Sequence, residues 1–241
     1  MQTNLDIIQL ISIFELFIAS SFTIVLAIFM FRKYREREDR TTIFLIMFFL
    51  FEGIALIFVA MGRIEMAIFL DTSLGLIFHV LAIYTSFLVV VSIDFFAIEI
   101  TFPEHFKKLA ILNIILIGVG GFIFAFATPI IDLIAREITY SDEIFLVIGP
   151  FLFPPIIIGI SVFFYYAKII KNDSRPKYLR SLTMGIAGIF LSCAYILELI
   201  GFTGFIVIII RSGFVINALL YYISYTLPKW YQKAIGWEEP I

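Results

Sequence analysis

Residues 204–227, GFIVIIIRSGFVINALLYYISYTL, are long enough to cross a bilayer, yet they carry Arg211 about a third of the way in. A guanidinium without a partner at that depth costs roughly 2.5–3.5 kcal/mol on insertion scales, so Arg211 has to face protein or water rather than lipid. The rest of the chain must therefore bring polar side chains to this one helix.

The composition agrees with a membrane chain. With 62% hydrophobic residues, 15% charged residues and a mean hydropathy of +1.07, the sequence lies outside the range of ordinary soluble domains. Its apolar residues form seven long runs, at 5–31, 41–61, 74–98, 109–131, 144–167, 181–199 and 204–227. The expectation is an all-α integral membrane protein, a seven-transmembrane helix bundle over residues 1–227 with an interfacial tail over 228–241. No Lys or Arg precedes Arg32, so the first run lacks the basic flank of a cleaved signal peptide and is read as a retained span. A single cysteine, Cys193, excludes an intramolecular disulfide and a thiolate metal cluster.

Loop charges predict an orientation. Fourteen Lys or Arg fall after runs one, three and five and in the tail, against Arg63 and Arg136 on the opposite side. Because basic loops stay in the cytoplasm, the N-terminus is expected outside and the C-terminus inside, in a cytoplasmic membrane. The Ile- and Phe-rich usage points to a prokaryote. In the tail, Trp230, Ala234 and Trp237 recur at helical spacing opposite Lys229, Gln232 and Lys233, the pattern of a short amphipathic helix at the membrane interface. Tyr165, Tyr166, Tyr221, Tyr222 and Tyr225 are assigned to the aromatic belt on the same side.

Ionisable residues within the spans are the candidate site. Glu15, Glu52 and Arg211 fall in the outer half or near the middle, with His79 and Glu198 nearer the outer surface. Runs seven and one close a sequential ring, which makes Glu15 the expected partner of Arg211, with Glu52 able to join and Glu198 the alternative. Around one guanidinium, such carboxylates suit either a proton- or cation-responsive ligand site or a structural ion pair. His79 and Ser86 share a helix face. His105 is placed in a loop on the other side of the membrane, so the two histidines do not share a metal, and no metal is expected.

A second polar set lies in the cytoplasmic half: Asp94, and a stripe of Asn217, Tyr221 and Ser224 at steps of four and three. Ser181, Gly185, Gly188 and Ser192 form a small-residue face that lets another backbone come close, either within the bundle or in a homodimer. Gly118, Gly120 and Gly121 form a second such place, and Pro150, Pro154 and Pro155 are expected to distort the fifth helix.

The segment Asn217-Ala-Leu-Leu-Tyr221 resembles the Asn-Pro-x-x-Tyr motif of G-protein-coupled receptors, and the tail is similar to their eighth helix. Ala218 stands where that motif has proline, and the third run ends SIDFFAIEI without Asp-Arg-Tyr, so the resemblance is to seven-span receptors in general layout. It implies a receptor-like sensory module that signals through cytoplasmic loops and tail to a cytoplasmic partner. Intramembrane carboxylates suit a small-solute or proton-coupled transporter equally well, which is the second reading; an intramembrane enzyme is the third. No lysine lies in the seventh run, where a retinal Schiff base would need one, and no cofactor is expected. The expected partners are the lipid bilayer, a signalling protein and a second copy of the chain, not nucleic acid.

Overall fold

The computed structural model describes residues 7–37, 39–132, 137–140, 142–200 and 204–236. The long helices are α1 (Ile7–Arg37), α2 (Arg40–Ile64), α3 (Thr72–Thr101), α4 (Phe106–Phe124), α5 (Asp142–Ile170), α6 (Arg175–Ile200) and α7 (Phe205–Thr226), followed by the short α8 (Lys229–Ile235). Among the described residues, α1, α2, α3, α4, α6 and α7 contain stretches long and apolar enough to cross a membrane. In α5 the described apolar stretch is the shorter Ile156–Ile170. The architecture is that of a helical multi-pass membrane protein. At 31 residues α1 is roughly 46 Å long, more than a bilayer's hydrocarbon core, so its basic end projects past the apolar run that the sequence places at 5–31.

Within this helical architecture two short strands, β1 (Pro129–Asp132) and β2 (Glu137–Tyr140), lie between α4 and α5, where the sequence was read as the end of the fourth run and a loop. They pair antiparallel with Pro129 opposite Tyr140 and Asp132 opposite Glu137. The fourth run was expected to stay helical to 131, but α4 ends at Phe124. Pro129 lacks an N–H and biases Thr128 away from helical geometry, so Ile130 and Ile131 pass into the strand. In β2, Ile138 and Tyr140 are both buried, as the two-residue repeat of a strand requires.

This hairpin marks one end of the bundle. The connections between α1 and α2, α3 and α4, and α5 and α6 lie at the other, basic end. At the hairpin end, α2 and α3 are joined by a π-helical turn, Glu65–Phe69, and Asp71 caps α3 by accepting from the backbone N–H groups of Ser73 and Leu74, both at 2.9 Å. Close approach of the two helices there depends on glycine: a Cβ at Gly62 would stand 3.1 Å from the Gly75 carbonyl oxygen.

The packing order is a ring with one outlier. α1 packs on α2 and α7, α6 lies between α5 and α7, and α3 packs on both α2 and α5. The expected closure of the seventh helix on the first is therefore present. α4 sits outside this ring, touching α3 and α5, and exposes Ile111, Leu112, Ile114, Ile115 and Phe122. α5 runs unbroken through Pro150, Pro154 and Pro155, although each proline removes one backbone donor from it. In the basic half, Phe48, Phe49, Phe96 and Phe163 form an aromatic layer with Tyr221, whose ring lies 5.1 Å from that of Phe49 and 5.9 Å from that of Phe48.

Candidate functional site: the polar contacts of α7

Successive residues on a helix point roughly 100° apart, so Arg211, Ser212 and Asn217 leave α7 in three different directions. Each meets a carboxylate on a different helix. The Arg211 guanidinium, 1% exposed, donates from Nη2 to Glu198 Oε1 on α6 at 2.8 Å, with Nε 3.4 Å from Oε2. Ser212 Oγ donates to Glu15 Oε1 on α1 at 2.8 Å. Asn217 Nδ2 donates to Glu52 Oε1 on α2 at 2.6 Å, and Glu52 is fully buried.

The expected pairing is thus corrected. Glu198, the alternative, takes Arg211, while Glu15 is held by Ser212 with Arg211 in electrostatic reach, and Glu52 belongs with Asn217. The physical reason is the adjacency of α6 and α7 together with the reach and direction of the two side chains. Arg211 is only six residues, roughly 9 Å, from the start of α7, and Glu198 is two residues from the end of α6, so the short α6–α7 turn sets them side by side. Glu52 lies farther along, level with Asn217.

Arg63 completes the cluster. It occupies the last turn of α2, and its Nη2 is 3.6 Å from Glu198 Oε1. Sequence reading placed it in the connection after the second run and gave it no role; the shared shallow depth of Arg63 and Glu198 was the signal available. His79, on α3, has both Arg63 and Glu198 in electrostatic reach and stacks on Tyr140 of the hairpin, with centroids 5.7 Å apart and planes 26° apart. Burial, with a smaller contribution from Tyr84, pushes the Tyr140 hydroxyl up to about 12, so it remains a neutral donor at ordinary pH.

His79, Tyr140 and Glu198 border a cavity of about 60 Å³ whose wall also includes Ser86 and Tyr195. His79 and Ser86, read as sharing a helix face, both line it. A second cavity of about 50 Å³, nearly all apolar, shares Ile83, Ser86 and Tyr195 with the first. A water needs roughly 10–15 Å³ of such space, so each cavity has room for a few water-sized molecules and for no larger organic molecule without opening. They lie on the hairpin side of the aromatic layer, and Phe48 belongs to both that layer and the wall of the second cavity.

The second polar set, read from the sequence as Asp94 with Asn217, Tyr221 and Ser224, divides. Asp94 does not join the α7 stripe; it accepts from Asn113 Nδ2 of α4 at 2.5 Å. Asn113 was not singled out from the sequence, although it is the one polar residue between Lys108 and Phe124. Tyr221 is fully buried in the aromatic layer, so it is a core residue and not part of an interfacial belt, whereas Tyr165 and Tyr166 are exposed. Ser224 is buried, and its carbonyl accepts from Arg180 Nε of α6 at 2.8 Å.

The small-residue face of α6 packs inside the bundle. Ser181 Oγ donates to the Phe163 carbonyl of α5 at 2.7 Å; a Cβ at Gly185 would lie 2.7 Å from the Phe164 ring, and one at Gly188 would lie 2.6 Å from Ile160. Ser192, one turn on, has a buried hydroxyl with no hydrogen-bond partner. On α4 the expected tight site is absent at Gly118, where nothing lies within 4 Å of an added Cβ.

The tail helix α8 packs on α6. Trp230 is 61% exposed, while Tyr231 and Ile235 are buried and the Tyr231 hydroxyl is 2.8 Å from Thr183 Oγ1 of α6. Trp237 lies outside the described residues. Among those residues, no group of three or more His, Cys, Asp or Glu side chains could hold a metal ion. Compared with known proteins, the chain matches no family model, no curated sequence and no solved structure.

Proposed function

We propose that the chain is a receptor-like sensory module of the cytoplasmic membrane, with seven spans, the N-terminus and hairpin end outside, and the basic end inside. The observation that carries this reading is the continuity of α7. One helix holds Glu198 and Glu15 near the hairpin end and Glu52 deeper in the bundle, contacts Arg180 near the basic end, and leads through Leu227 and Pro228 into α8, whose Tyr231 meets Thr183 on α6. A shift of the Glu198 cluster would move α7 as a body and reach α8 without an intervening flexible segment. The cavity beside Glu198 supports a receptor more than a carrier, because the aromatic layer around Tyr221 stands between it and the basic end. A cytoplasmic partner would then read the basic end, where the loops and α8 converge.

A small-solute or proton-coupled transporter is the second reading. Two buried carboxylates, Glu52 and Asp94, each held by one carboxamide, are the observation that favours it.

Hydrogen exchange of Arg211→Met against the unaltered chain separates these from a merely structural ion pair. Sensing predicts faster exchange in α8, roughly 24 Å along the helix from the substitution to Leu227. Change confined to the hairpin end would remove the sensory reading. Orientation is tested in a Cys193→Ala background: single cysteines at Ser141 and Ser174 should label from opposite sides of intact cells, and labelling from one side would remove the seven-span reading.

A further inference from the structure

A recess larger than the two interior cavities lies away from the Arg211 cluster. A groove of about 390 Å³ opens on the flank of the bundle between α3, α4 and α5. That volume lies within the range of small-molecule sites, roughly 300–1,000 Å³, whereas the two interior cavities fall far below it. Its rim is formed by exposed apolar side chains, among them Leu112, Leu116 and Ile158, on membrane-spanning helices. An occupant therefore arrives from the hydrocarbon phase.

At the base of this groove lie Asp94 and Asn113, 4% and 8% exposed. Their mutual hydrogen bond uses Asp94 Oδ2 and leaves Asp94 Oδ1 and Asn113 Oδ1 buried with no partner. Pro150 lines the opposite wall, and its carbonyl has no helical donor because position 154, four residues on, is also proline. Three acceptors on residues that line the groove thus lack a donor within the protein. Buried acceptors in a bilayer are expected to be met, so the missing element is a donor. An ammonium group would supply one but is costly to bring through hydrocarbon, and a plain acyl chain supplies none.

We propose that this groove binds a neutral lipid-phase molecule with a hydrocarbon body and a hydroxyl head, the hydroxyl donating to the Asp94–Asn113 pair. The pair sets the depth of the head, and Leu112, Leu116 and Ile158 hold the chain. The site is separate from the Glu198 cluster, and its occupancy does not depend on the sensory reading.

The test uses the full chain in phosphatidylcholine nanodiscs with a diazirine-bearing sixteen-carbon alcohol as photoprobe. Label is expected on peptides covering residues 94–102 and 109–116. Unlabelled hexadecanol should displace it about tenfold better than its methyl ether, as the loss of one hydrogen bond to a charged or strongly polar group predicts. Equal competition by hexadecanol, the ether and hexadecane would overturn the proposal, leaving a furrow for lipid chains; so would label that maps elsewhere. Leu116→Trp, which fills the groove without touching the polar pair, should abolish labelling at an unchanged melting temperature. Retained labelling in that variant also counts against the site, and the competition on the unaltered chain decides independently of any variant.

Discussion

α4 and α7 are apolar helices of similar length, 19 and 22 residues, and the one with fewer polar side chains is the one left outside the ring. In water the opposite would be expected, because the more apolar helix would be driven inward. In a bilayer, lipid tails are as apolar as leucine, so helix association depends on polar contacts and on small residues that allow close packing. α7 sends Arg211, Ser212 and Asn217 to α6, α1 and α2, and is enclosed on those three sides. Beyond Lys108, α4 has Asn113 alone; it makes one such contact, to Asp94 of α3, and the helix keeps a wide face open. The angular spread of polar residues around a helix, more than their number, sets how far the helix is surrounded.

The largest expected effect comes from removing the Arg211 contact of α7. Arg211→Met leaves Glu198 with Arg63 at 3.6 Å as its remaining described ion pair, and removal of one partner from a buried pair costs about 3–5 kcal/mol. A large drop in the detergent melting temperature should follow. Adding Glu198→Gln should recover part of it, whereas Glu15→Gln should not, since Glu15 is held by Ser212. Recovery by Glu15→Gln instead would restore the pairing read from the sequence and break the account of α7 given above.

A smaller effect separates the two asparagines. Asn217→Leu strands the fully buried Glu52 and should cost about 1–3 kcal/mol, and a second change, Glu52→Leu, should return most of that. Asn113→Leu removes the same chemistry from Asp94, but beside an open groove where neighbouring side chains and lipid can rearrange. Its melting temperature should fall by less than that of Asn217→Leu. Equal losses would mean that α4 is as firmly enclosed as α7.

These contrasts explain what was readable in advance. Long apolar runs place the helices because no soluble core competes for that pattern, and Arg211 stands out because its depth alone demands a partner. Closure of the seventh helix on the first follows from connectivity. The choice among Glu15, Glu52 and Glu198 does not, because it turns on helix tilt and side-chain direction, which a one-dimensional depth count omits. Asn113 carried no visible cost of its own, and it matters through Asp94, on another helix. The hairpin was hidden for a different reason: residues 137–140, EITY, alternate as a strand over only four positions, too few to stand out beside apolar runs five times longer.

The smallest expected effect is also the most direct comparison of the two sides. On α6, a Cβ at Gly188 would lie 2.6 Å from Ile160, so Gly188→Ala must push α5 away or force Ile160 from its rotamer, at a cost of about 1–3 kcal/mol. On α4, Gly118 has nothing within 4 Å of the same added atom. There the methyl meets only lipid, and alanine fixes the helical backbone better than glycine does. Gly118→Ala should therefore raise stability, by up to about 1 kcal/mol, the full difference in helix propensity. The two substitutions are chemically identical and should shift the melting temperature in opposite directions. If Gly118→Ala destabilises the protein as Gly188→Ala does, something packs against that face of α4 in the membrane, and α4 is not the open flank of the bundle.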